Sequence, residues 1–156
     1  MLSKKCKYAL KALIALAKRD ISKPEMRISE LSEQEKIPKK FLENILAELR
    51  NNGIVSSKLG KTGGYYLFKK PETIYFSDVI RIMDGPIALL PCASLNYYNT
   101  CDDCEDEETC GLRKIMLEER IASLSVLSNT SIAKAIKKEQ RLIKSKRNIV
   151  TNKFKK

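Results

Sequence analysis

Apolar positions recur at helical spacing in several stretches of this chain, and two short runs between them read as strands. The clearest stripe is Phe41, Leu42, Ile45, Leu46 and Leu49, which predicts a helix opening at Pro38 and closed by Gly53 as a left-handed cap. A shorter helix precedes it, with Ser29 as its expected cap, Ile28, Leu31 and Ile37 as its apolar contacts, and an end near residues 34–36. Two helices joined by a tight turn, the second the longer, make a helix-turn-helix. The outward face of the second helix offers Lys39, Lys40, Glu43, Asn44 and Arg50, side chains that reach bases or phosphates.

Residues 54–58 and 65–69 read as strands, with the glycine-rich stretch Gly60, Lys61, Thr62, Gly63, Gly64 between them. A basic hairpin directly after a recognition helix is a wing, and Lys58 and Lys61 are its expected backbone contacts. The competing reading, a helical hairpin with a solvated basic face, does not account for the wing.

The opening helix, over 3–18, presents Tyr8, Ala9, Leu13, Ile14 and Leu16 inward and would brace the helix-turn-helix from behind. Its Lys4, Lys5, Lys7 and Lys11 suit phosphate contact and a solvated face equally, and Cys6 suits the core. The loop over 20–27 holds no evident chemistry. After the wing, Ser77 is the expected cap of a short helix over 78–83, broken by Asp84-Gly85-Pro86. A long helix over 112–127 is apolar over so wide an arc that a small domain has little core left to cover it. Ile115, Leu117, Ile121 and Leu124 are therefore expected at the seam of a twofold dimer, against the alternative of an intramolecular core helix. A short helix over 131–138 follows, then a basic tail expected to lack order without DNA. The expected organisation is a DNA-binding unit over 1–86, a cysteine loop over 87–111, a dimerisation helix and short helix over 112–138, and the tail over 139–156. The fold class is mainly α with a small β-hairpin wing, a winged helix-turn-helix plus a long dimerisation helix.

Charge narrows the kind of partner. A net charge of +11 in 156 residues points to an anionic surface, nucleic acid before membrane. No window is long and apolar enough to span a bilayer, and the opening lacks a signal-peptide core, so a cytoplasmic protein is expected. In that reducing setting the cysteines are read as metal ligands or redox thiols rather than a disulfide framework. Four of them, Cys92, Cys101, Cys104 and Cys110, share one loop with an acidic knot of Asp102, Asp103, Glu105, Asp106, Glu107 and Glu108. Thiolates are soft ligands, so the loop could hold a [2Fe–2S] or [4Fe–4S] cluster, zinc, or a regulatory thiol pair. Zinc ranks below the cluster because the spacing is not that of a paired zinc knuckle. Acidic neighbours would raise the thiol pKa values and blunt unmetallated thiols. Histidine is absent, which excludes His-based catalysis and His ligation, and no phosphate-binding glycine loop of known type is present. An enzyme is not expected.

The order of parts resembles the Rrf2 family of bacterial winged-helix transcription regulators. This family includes an iron–sulfur cluster regulator, a nitric-oxide-sensing repressor and a cysteine-metabolism repressor. The matching stretches are KKCKYALKALIALA, then IPKKFLENILAELRNNGIVSS, then KTGGYYLFKKPETIYFSDVIRIMDGPI, and later LSNTSIAKAI, together covering about residues 2–138. The resemblance implies a homodimer on pseudo-palindromic double-stranded operator DNA, acting as a repressor, with the cysteine loop beside the dimer helix. It also implies Cys92, Cys104 and Cys110 as cluster ligands. Arg113 stands where the iron–sulfur regulator has a ligating histidine, so Cys101 is the fourth candidate. The nitric-oxide sensor's carboxylate ligand has no counterpart at Lys7 and Tyr8. Leu59-Gly60 replaces the wing's Arg-Gly pair, leaving Lys58 or Lys61 for the minor groove. The two functional readings carried forward are a cluster- or redox-responsive regulator and a regulator whose loop binds zinc or senses nothing.

Overall fold

Ser3 starts the first helix, its hydroxyl accepting from the Cys6 N–H at 3.0 Å, and its own N–H donates to Asp84 at 2.9 Å. The computed structural model describes residues 1–20, 22–23, 25–60 and 63–153, with backbone alone for 148–153. Its elements in order are α1 (Lys4–Ala17), α2 (Ile28–Glu35), α3 (Lys39–Asn51), β1 (Val55–Lys58), β2 (Gly64–Leu67), α4 (Phe76–Asp84), α5 (Gly111–Leu127) and α6 (Ile132–Lys153). Single turns of 3-10 helix at Pro71–Thr73 and Pro91–Ala93 precede α4 and the cysteine loop.

The core sits where α1 crosses α3 and α4. Leu13, Leu31, Ile37, Leu42, Ile45, Leu46, Leu49, Val55 and Val79 are almost wholly buried, and Cys6 among them acts as a small core residue. Tyr8 meets Phe41 edge-on, with ring centroids 5.8 Å apart. Two of the α1 lysines serve packing: Lys5 pairs with Glu48 of α3 at 2.6 Å, and Lys11 with Glu35 of α2 at 3.3 Å.

Lys36, in the left-handed region at φ 54°, ends α2. Pro38 takes the N-cap of α3, one position earlier than first-turn placement. At the far end, the Gly53 N–H donates to the Arg50 carbonyl and the Ile54 N–H to the Leu49 carbonyl, both at 2.9 Å, a paired closure that Gly53 permits at φ 64°. The chain then enters the antiparallel hairpin, with Val55 opposite Leu67 and Lys58 opposite Gly64.

Three expectations are corrected. Ser29 and Ser77 are not caps: α2 begins at Ile28 after Arg27, and α4 at Phe76 after Tyr75. In both cases a β-bridge beside the entry, Met26 with Tyr65 and Tyr75 with Ser131, holds the preceding backbone extended and sets the boundary. The last helix does not stop near Lys138 but continues to Lys153. No glycine or proline interrupts residues 132–153, and once a helix is nucleated each further residue is easily added.

Candidate functional site

Four apolar residues fix which way α3 faces. With Leu42, Ile45, Leu46 and Leu49 buried, Lys39, Lys40, Asn44 and Arg50 are exposed and Glu43 half-exposed on the opposite arc. Ala47 lies at the middle of that arc, where its small side chain lets another surface approach closely. Lys40 reaches Glu43 at 3.5 Å, so the helix's first turn carries a local ion pair rather than isolated charges.

The wing adjoins this face, and a third strand-like segment steadies it. Met26 N–H donates to the Tyr65 carbonyl at 2.9 Å, and Tyr65 N–H returns a bond to Met26 at 2.8 Å. A Cβ on Gly64 would stand 2.5 Å from the Met26 carbonyl oxygen, so glycine is needed for that approach. The loop over 20–27, read from sequence as without role, thus supports the wing; a single pairing residue leaves no alternating pattern by which to find it. Lys58 is tied to Glu25 at 3.1 Å, and Leu59 is 94 % exposed next to it. Lys61 lies outside the described residues. Arg27 and Ser29, at the start of α2, share an open cleft with Gly60, Gly63 and Tyr65.

The second site is the cysteine loop. Cys110 is the N-cap of α5, its sulfur accepting from the Arg113 N–H at 3.5 Å. Cys104 Sγ lies 3.5 Å from Cys110 Sγ. Hydrogen bonding to Cys110, then to Cys101, pushes the Cys104 thiol up to about 12, whereas the Arg113 N–H, followed by Cys104, draws Cys110 below its ordinary value. Acidic neighbours therefore do not set these thiols, contrary to the reading from composition. Part of the acidic knot is turned into the loop. Glu107 accepts from the Tyr98 hydroxyl at 2.7 Å and the Cys101 N–H at 2.8 Å, and these bonds hold its carboxyl below the usual range. Asp106 accepts from the Glu108 N–H and the Thr109 hydroxyl, both at 2.9 Å.

Cys92 is buried on the far side, in the turn Pro91–Ala93. Arg113 Nε donates to its carbonyl at 3.1 Å and lies 3.3 Å from Glu107. Arg120, one face further along α5, donates to the Ala93 carbonyl. Both arginines escaped the sequence reading as structural parts; the only signal was their spacing of seven along α5, which places them on one side of the helix.

Two thiolates bound to one tetrahedral ion at about 2.3 Å would stand about 3.8 Å apart, close to the separation of Cys104 and Cys110. The donor type suits a soft metal or cluster, with Cys104 and Cys110 as a pair and Cys101 hydrogen-bonded to Cys104, while Cys92 is tied to them only by its carbonyl, through Arg113. Among the described residues, however, no three ligating side chains are gathered as a ready metal site.

The apolar arc of α5 is only partly covered, Leu127 alone packing against the core. None of its residues is buried, and Ile115 and Ile121 are 59 % and 60 % exposed, with Leu117 and Leu124 half-exposed beside them. No helix of the described residues is long and apolar enough to cross a membrane.

Residues 2–138 match the family model Rrf2, described as iron-dependent transcriptional regulator. An rrf2-like HTH-type regulator of Rhodobacter capsulatus is 47% identical over 121 residues, covering 76% of this chain and 80% of the relative. The HTH-type transcriptional regulator IscR of Photorhabdus laumondii is 30% identical over 135 residues, covering 81% and 82%. The solved structure of CymR, the global cysteine regulator of Bacillus subtilis, superposes with a TM-score of 0.72 at 27% identity, covering 88% of this chain and 96% of that one. These relatives are transcriptional regulators, not enzymes. With its winged helix-turn-helix and this match across most of its length, the chain belongs to the Rrf2 family of DNA-binding transcriptional regulators.

Proposed function

We propose that this protein is a dimeric repressor whose grip on operator DNA is set by an iron–sulfur cluster, or by redox state, at Cys92, Cys101, Cys104 and Cys110. The observation that carries this reading is the place of Cys110, which caps α5 and touches Cys104 at once. Any change in the sulfurs acts directly on the first turn of the helix that pairs the two protomers.

Two protomers meet along α5, with Ile115, Leu117, Ile121 and Leu124 at the seam. Each presents Lys39, Lys40, Glu43, Asn44 and Arg50 to a major groove, half-sites about 34 Å apart. Glu43 accepts from cytosine N4 and Asn44 pairs with an adenine edge, while Lys58 and Lys61 follow the backbone. When bound, a cluster supplies a rigid cross-link among the sulfurs and a charge that varies with redox state. Arg113 and Arg120 carry the position of the Cys92 turn to α5, and α4, packed against both α5 and α3, carries it to the recognition helix. Two arrangements of this junction would hold the recognition helices at two separations, and DNA would favour one.

A second reading, zinc or a loop that senses nothing, is favoured by the absence of a gathered ligand set among the described residues. Metal and sulfide analysis of anaerobically purified protein, with its visible spectrum, separates the two. Iron with acid-labile sulfide and visible charge-transfer absorption supports the cluster. Stoichiometric zinc supports the second reading, as does a colourless metal-free protein whose reduced and oxidised forms bind DNA alike.

A further inference from the structure

The family match ends at residue 138, yet α6 continues to Lys153. Residues 139–156 carry seven basic side chains against Glu139, a net +6 out of the chain's +11. The helix is anchored at its start, where Ile132 is wholly buried, and the Glu139 carboxylate meets Lys18 at 2.5 Å. From there to Arg147 every described side chain is exposed, so this part of the helix leaves the body. It leaves beside the DNA-reading unit. Lys18 follows the last turn of α1, its neighbour Arg19 pairs with Glu30 in the first turn of α2, and Met26 is bridged to the wing. Residues 140–153 at 1.5 Å each reach about 20 Å, some six base pairs of duplex.

We infer that the projecting half of α6 is a second nucleic-acid contact, laid along phosphates that flank the operator half-site. Arg141, Lys144 and Lys146 supply charge without base-reading geometry, so the contact would add affinity and not sequence preference. A basic helix is also suited to an anionic membrane. DNA is favoured because the helix departs beside the end of α1, where Arg19 joins the helix-turn-helix through Glu30. The inference rests on the operator-binding half of the proposed function and is independent of the cysteine loop.

The test uses the full chain and its triple variant Arg141→Gln, Lys144→Gln, Lys146→Gln, a set of good helix formers that leaves α6 intact by circular dichroism. Affinity is measured from 50 to 200 mM salt on a duplex selected by the full chain from random DNA. One form of the duplex is trimmed to its half-sites and the other extended by ten base pairs on each side. On the extended duplex the variant's salt slope should fall by up to about 2.7 for each protomer, roughly 0.9 per lost phosphate contact, and so by up to about 5.4 for a dimer on both flanks. The preference of the full chain over the variant should then shrink up to about 40-fold for each protomer engaged across that salt range. On the trimmed duplex the two proteins should bind alike, and charge-keeping Arg141→Lys should match the full chain throughout. Equal slopes on the extended duplex would overturn the inference, as would binding of the full chain but not the variant to phosphatidylserine vesicles with no difference on DNA. Failure of the full chain to select any duplex would overturn operator binding itself, a separate result.

Discussion

The guanidinium Nε of Arg113 donates to the carbonyl of Cys92 at 3.1 Å. The same residue's backbone N–H donates to Cys110 Sγ, so a side chain that cannot ligate a metal closes the two ends of the cysteine loop on each other. Arg113→Met should free the Pro91–Ala93 turn. Losing a charged hydrogen bond of roughly 1.5 kcal/mol corresponds to about tenfold more frequent local opening. Alkylation of buried Cys92 should therefore speed up by about that factor in native protein. An unchanged rate would show that Arg120 and the apolar neighbours of the turn hold it unaided.

Cys110 should ionise well before Cys104. Cys110 is drawn down by the Arg113 N–H, and Cys104 is pushed up to about 12. The stability linked to Cys110 is present above its unfolded pKa and lost as pH falls through the folded value. That linked to Cys104 is present below 9.0 and lost as pH rises toward about 12. At pH 8 iodoacetamide should modify Cys110 well before Cys104, as peptide mass spectrometry would record. Because both must lose protons to ligate, metal uptake should weaken as pH falls. Equal labelling of the two cysteines would contradict the hydrogen-bond pattern.

Ile121 of α5 is 60 % exposed in the protomer, so Ile121→Glu should leave the protomer folded and break its pairing. Sedimentation at micromolar concentration should show a dimer for the unmodified protein and a monomer for the variant, with the far-ultraviolet circular dichroism of the protomer little changed. A monomeric parent protein that still binds operator would remove α5 as the seam.

Asn44 is exposed on α3 and Leu49 on the same helix is wholly buried. Asn44→Ala should cost roughly 1–3 kcal/mol on the cognate duplex and relax one base position, without affecting stability. Leu49→Ala should instead cost about 2–5 kcal/mol of folding free energy. Equal losses for Asn44→Ala on cognate and random DNA, in a titration at fixed salt, would take Asn44 out of base readout.

The sequence made the DNA-reading unit legible because its signals are local. The stripe from Phe41 to Leu49 has helical period, Gly53 stops it, and glycines mark the hairpin. What escaped was set by contacts distant in sequence. Ser29 and Ser77 look like caps, but bridges from Met26 to Tyr65 and from Tyr75 to Ser131 start both helices earlier. Arg113 and Arg120 look like solvated charge and instead hold the carbonyls of Cys92 and Ala93. The length of α6 was missed for a different reason. Past Glu139 its helix has no core to face, and its apolar pairs at Leu142–Ile143 and Ile149–Val150 are sparse among the basic residues, although nothing in its residues stops it.

On the proposed reading, the sulfurs of Cys92, Cys101, Cys104 and Cys110 set DNA affinity through α5. Operator affinity at one fixed salt concentration, compared among anaerobically prepared cluster-loaded protein, metal-free protein and Cys104→Ala, tests it most directly. The account predicts that the loaded protein differs from the other two by about fivefold or more, the range of ordinary allosteric coupling, and that the metal-free protein and Cys104→Ala agree. Equal binding by all three, with the dimer intact, would contradict it and leave a DNA-binding regulator whose signal enters elsewhere.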